Sequence, residues 1–130
     1  MDKNILEESH ELNLQFEKRG GLLPVIVQDV ATERILMLGY ANEEAFEETI
    51  NSKLATFWST SRNELWTKGK TSGDYMTIQE ILIDCDQDAI VYRVKLAGNG
   101  VCHTKDEEGQ TRMACFYRAL DLDAKKLKKN

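Results

Sequence analysis

The sequence has a single proline, Pro24, and nowhere a run of about eighteen apolar residues, the length a membrane-crossing helix requires. Positive charge is short as well. With 17 Lys and Arg against 22 Asp and Glu, the net charge is −5, whereas a general nucleic-acid binder needs a basic face to displace counterions. A small phosphorylated molecule is not excluded, because local clusters decide that. Residues 1–11 are acidic and polar, with no basic segment ahead of an apolar stretch, so no secretory signal is expected. Cysteine is scarce. Three cysteines, an odd number without a secretory signal, read as cytosolic thiols rather than a disulfide framework, and the expected location is the cytoplasm.

What is present suits one compact domain of 130 residues, with 42% hydrophobic residues for a core and 30% charged residues for the surface. A core this small makes an extended dimer interface expected. The pattern predicts a weak, mostly polar helix over residues 4–18, with His10 on its surface. Strands are predicted over residues 23–29 and 35–40, joined by a polar turn at 31–34. Asn42 offers an N-cap, with Glu43 and Glu44 in the first turn of a short helix reaching Ser52. Phe46, Thr49 and Ile50 form its inward stripe. Residues 55–60 read as a strand, 61–74 as a loop, and 75–83 and 89–96 as the longest strands. In the last, Ile90, Tyr92, Val94 and Leu96 share one face. The lysine-rich end, with Lys125, Lys126, Lys128 and Lys129, reads as a solvated helix end. The expected architecture is a mainly β, α+β domain with one or two helices.

Asp84-Cys85-Asp86-Gln87-Asp88 is the most informative stretch. In an extended chain Asp84, Asp86 and Asp88 share one side and Cys85 faces the other. Three neighbouring carboxylates repel one another unless a hard cation sits among them, while a thiolate suits zinc. A calcium loop starting at Asp84 fails, because Ala89 and Lys95 stand where Gly and Glu are needed. A solvated acidic turn remains open. Cys102 precedes His103, and Cys115 follows later; no C-x-x-C pair exists, so this is neither a zinc ribbon nor a finger. Three inert buried thiols, or a three-thiolate zinc with one position open to water, both fit. Such a zinc carries net charge −1 and acidifies water weakly, which makes His103 the candidate base.

A second cluster lies in residues 59–73. Arg62, Lys68 and Lys70 can meet phosphates, Thr71, Ser72 and Gly73 add donors and backbone access, and Trp66 can stack on a base or fill the core. The spacing of a Walker loop is absent.

Taken together, these motifs resemble the phosphoribosyl-AMP cyclohydrolase family. The likeness is carried by residues 21–29 and 35–45, the Trp-x-Lys-Gly-x-Thr-Ser-Gly stretch, Asp-Cys-Asp-x-Asp, Cys102-His103-Thr104 and Cys115-Phe116-Tyr117-Arg118. The resemblance implies an intertwined homodimer of barrel-like subunits that acts on a small nucleotide. Zinc would be held by Cys85, Cys102 and Cys115 drawn from both subunits, magnesium by Asp84, Asp86 and Asp88, and His103 would be catalytic. The implied reaction is hydrolysis of the N1–C6 bond of 1-(5-phosphoribosyl)-AMP in histidine biosynthesis. On this reading residues 20–120 form the cyclohydrolase domain, 1–19 a helical extension and 121–130 a tail. One departure is a charged insert, residues 105–113, expected to turn at Asp106-Glu107-Glu108-Gly109. Two rival functions are a non-catalytic zinc-stabilised binding module and an adenine nucleotide deaminase.

Overall fold

The computed structural model describes residues 2–129, so Met1 and Asn130, at the ends of the expected extension and tail, lie outside the described residues. Strand β1 (Leu23–Asp29) alternates cleanly: Leu23, Val25, Val27 and Asp29 are buried, and the residues between them face outward. It pairs antiparallel with β2 (Ile35–Ala41) and parallel with β6 (Ile90–Leu96). Strand β5 (Met76–Ile83) adds to β6 and completes the order β2-β1-β6-β5. Pro24 is tolerated in this central strand because pairing with β6 starts one residue later, at Val25. The turn between β1 and β2 is tied by Asp29, whose carboxylate accepts from the Thr32 amide and hydroxyl at 3.1 and 2.7 Å.

Helix α2 (Glu43–Ser52) starts as expected, with the Asn42 side chain accepting from the Ala45 amide at 2.8 Å. Its buried face is Ala45, Phe46 and Thr49; Ile50 is 38% exposed, not inward. Successive helical residues turn by about 100°, which carries Ile50 past the edge of that stripe. The Thr49 hydroxyl joins three elements. It donates to the Ala45 carbonyl, accepts from the Thr56 amide at 3.1 Å, and accepts from the Tyr92 hydroxyl at 3.2 Å. The core lies between the four-stranded sheet and α2 with the hairpin β3 (Thr56–Ser59) and β4 (Glu64–Thr67). Phe57 is central to it, 5.9 Å from the Tyr92 ring and 5.5 Å from that of Trp66. Gly39 makes room for Phe57, since a Cβ there would stand 2.6 Å from the ring.

The mainly β, mixed-sheet expectation holds, with two α-helices among the described residues, but the sheet does not close into a barrel. Three local expectations change. The opening helix α1 is only Lys3–Glu8, and a 3-10 turn follows at Glu17–Arg19. Helix α1 buries none of its residues, and a helix this short needs packing to persist. Strand β4 lies inside the expected loop, made a strand by its register with β3, Phe57 opposite Trp66. The lysine-rich end is not helical: β7 (Arg118–Asp121) and β8 (Lys126–Lys129) form a hairpin with Leu120 opposite Leu127. Its lysines are solvated as expected.

Candidate functional site

The link between β5 and β6 is a tight turn rather than extended chain, so the alternation argument for the aspartates fails there. Gln87 adopts φ 57°, its amide donates to the Asp84 carbonyl at 3.2 Å, and the Asp84 amide donates to the Ala89 carbonyl at 3.1 Å. The turn still gathers the carboxylates. One oxygen from each of Asp84, Asp86 and Asp88 lies within 4.8 Å of the others, the only such group of three donors among the described residues. An Asp84 oxygen accepts from the amides of Asp88 and Ala89 at 2.8 and 3.0 Å.

Two cations already face this turn. Lys18 Nζ stands 2.9 Å from Asp88 Oδ2 and 3.2 Å from Asp86 Oδ2, and Arg19 Nη2 stands 3.0 Å from the same Asp88 oxygen. Hydrogen bonds from Lys18, then Arg19, hold the Asp88 carboxyl well below the usual carboxylate range against the opposing effect of burial. Burial pushes the Asp84 carboxyl up, partly offset by its backbone donors. An all-oxygen donor set that already attracts an ammonium group fits a hard divalent cation.

Two of the three thiols come together. Residues 101–113 fold back on themselves: Val101 and Cys102 amides donate to the Met113 and Arg112 carbonyls at 3.1 and 3.2 Å. The charged insert forms the tip of this hairpin as expected, with Asp106 and Gly109 closing its turn and Lys105 bridged to Thr111. Gly100 is required beneath it, because a Cβ would stand 2.2 Å from the Arg112 carbonyl oxygen. The Cys115 amide is anchored to the Leu36 carbonyl at 2.7 Å. Cys102 and Cys115 are thereby close enough for each thiol to influence the ionisation of the other.

Their environments differ. Although desolvation opposes it, the Thr104 hydroxyl and amide, Cys115 and the Arg112 charge hold the Cys102 thiol below its ordinary value. Desolvation and the neighbouring Cys102 push the Cys115 thiol up to about 11, with Lys68 pulling the other way. A pair of adjoining thiols suits a soft metal ion. Cys85 does not join them. It is exposed on the acidic turn, in a cavity of about 300 Å³ shared with His10 and Leu6. His10 is exposed, as expected.

His103 is exposed and follows Cys102 directly. Arg62, Trp66, Lys70 and Thr71 line one cavity of about 410 Å³, while Lys68 lies near Cys115. Arg62 is 3.6 Å from Glu64. Trp66 is half-buried with its ring against Phe57, so part of its surface serves the core. Ser72 accepts from the Asp74 amide at 3.2 Å, and Gly73 has φ 81°. Sequence reasoning missed Lys18, Arg19 and Arg112, and gave Thr104 no role beyond its place in a motif. It passed over Gln87 as a spacer, although Gln87 carries the left-handed residue of the turn.

The fold and site define a class: a small mixed-sheet domain in which carboxylates and thiols are gathered as separate hard and soft donor sets, with a hydroxyl-bearing cavity where Arg62 and Lys70 stand among Glu48 and Glu64. The sequence model described as phosphoribosyl-AMP cyclohydrolase matches residues 37–117. The chain is 44% identical over 119 residues to the phosphoribosyl-AMP cyclohydrolase of Solibacter usitatus, covering 92% of this chain and 90% of that protein. It is 53% identical over 110 residues to that of Streptococcus mutans, covering 85% and 94%. A histidine biosynthesis bifunctional protein of Thermus thermophilus is 48% identical over 107 residues, 82% of this chain but 46% of that protein. The chain belongs to the phosphoribosyl-AMP cyclohydrolase family and is an enzyme of that kind.

Proposed function

We propose that this enzyme hydrolyses the N1–C6 bond of the adenine ring of 1-(5-phosphoribosyl)-AMP, in the cytoplasm and as a homodimer. The observation that carries the reading is family membership across most of the chain, with the donor groups of the motifs gathered in space. Cys102 and Cys115, with Cys85 of the partner subunit, would hold zinc, and Asp84, Asp86 and Asp88 would hold magnesium. Zinc supplies activation of water for attack at the ring carbon, and magnesium offsets phosphate charge.

The chain's own residues do the rest. His103 moves protons between the attacking water and N1. The water oxygen becomes the carboxamide oxygen, the exocyclic nitrogen stays on C6, and N1 leaves with a proton and its ribosyl group. Arg62, Lys68 and Lys70, with Thr71, Ser72 and the Gly73 backbone, hold the phosphates, and the free part of Trp66 borders the base. Lys68, close to Cys115, links the phosphate segment to the thiol pair.

The separation of Cys85 from Cys102 and Cys115 within one chain supports a shared site. An outward row also supports the dimer. Leu38, Ile26, Val91 and Leu82 are paired neighbours across all four strands, and Leu38, Ile26 and Leu82 are 46%, 37% and 44% exposed. The test is incubation with 1-(5-phosphoribosyl)-AMP, following near-ultraviolet absorbance and ammonia. Ring opening without ammonia is expected. Stoichiometric ammonia would make the chain a deaminase, and no turnover would leave a binding module.

A further inference from the structure

We propose that Lys18 and Arg19 form a displaceable internal counter-cation: they occupy the acidic turn when no divalent ion is bound and compete with magnesium for it. This inference rests on the magnesium reading of Asp84, Asp86 and Asp88. Neither cation lies within the residues matched by the family model.

The geometry is that of a tethered competitor. Gln87, between two of the aspartates, fastens the opening segment to the turn. Its side-chain oxygen accepts from the Asn13 amide at 2.7 Å, and its side-chain nitrogen donates to the Leu6 and Glu11 carbonyls, both at 3.0 Å. The Gln15 amide adds a bond to the Gln87 carbonyl at 2.8 Å. The chain then makes the 3-10 turn at Glu17–Arg19 and lays Lys18 on Asp86 and Asp88, and Arg19 on Asp88. Asp88 is nearly covered, its side chain 6% exposed, whereas Lys18 and Arg19 are 51% and 55% exposed. A buried carboxylate therefore needs a positive partner, and the partners it has can return to water at small cost.

Lys18 and Arg19 offset the charge of the two carboxylates they touch, Asp86 and Asp88. Entry of a doubly charged ion makes those cations redundant at the oxygens they share with it. Because the anchor at Gln87 is separate from Lys18 and Arg19, the cations can lift while the segment stays attached. Their effective concentration at the turn then remains high, and they return when the ion leaves. The segment thus sets how much free magnesium loads the site.

The experiment is Mn²⁺ binding by electron paramagnetic resonance on the metal-free protein, with Mn²⁺ as the probe. Exposed ion pairs are individually weak, so the K18Q/R19Q variant should bind Mn²⁺ about three- to tenfold more tightly than wild type. Lys18→Arg, which keeps the charge, should match wild type. Equal or weaker binding by K18Q/R19Q overturns the proposal while leaving the metal site standing. If neither protein binds Mn²⁺, the magnesium reading fails and this inference fails with it. A second measurement needs no variant. The amides of Arg19, Gly20 and Gly21, bonded to the carbonyls of Phe16 and Glu17, should exchange hydrogen faster when Mg²⁺ is added. Unchanged or slower exchange overturns competition, since the cations would then be helping to hold the ion.

Discussion

If zinc is shared between subunits, two inactive variants can repair each other. Cys102 and Cys115 are brought together by one hairpin and its anchor on β2, while Cys85 sits on a different turn. In a two-fold dimer each composite site takes Cys85 from one chain and the other two thiols from its partner. Cys85→Ser and Cys102→Ser should each be inactive alone. In a mixed dimer one site collects both defects, and the other collects none. Random pairing after joint unfolding and refolding makes about half the dimers mixed, each with one of two sites intact, so activity returns to about a quarter of wild type. Heterodimers isolated through two different affinity tags should reach about half. The assay is the absorbance change on ring opening, with circular dichroism to establish that both variants fold. Proven heterodimers with no activity would confine the zinc site to one chain and refute the reasoning.

His103→Ala should lower kcat by about a hundredfold or more while elemental analysis still finds about one zinc per chain; loss of zinc would make His103 a ligand instead. Replacing Asp86 and Asp88 by Asn should raise the magnesium requirement and leave zinc unchanged; the reverse pattern would refute the division into hard and soft sites. Thr49→Val leaves the Thr56 amide and the Tyr92 hydroxyl unpaired in the core and should cost about 2–4 kcal/mol, read as a lower urea midpoint at constant slope. Burial raises the Tyr92 hydroxyl to about 12, so folding favours its neutral form. That contribution is complete below about pH 10 and lost as pH rises to about 12, about 3 kcal/mol in all. Tyr92→Phe should remove that part of the alkaline decline in stability, and an unaltered decline would count against it.

Where a few adjacent residues suffice to specify a structure, the sequence by itself determined it. The alternation in β1 and β6 follows from the two-residue period of a strand, and Asn42 with two glutamates marks a helix start by local hydrogen bonding and charge. The motif residues identified the family for the same reason, since chemistry-bearing residues stand close together in the chain. Only the tertiary structure decided what depends on distant partners. Strand β4 exists because β3 pairs with it, and the lysine-rich end is a hairpin because Leu127 faces Leu120. Residues 9–16 are not helical, and Gln87, more than seventy residues away, holds their backbone groups. The aspartates meet through a left-handed turn that alternation does not foresee, and two cations reach them from the opening segment. No local pattern encodes a contact between Lys18 and Asp88, because its energy depends on the fold that places them 2.9 Å apart.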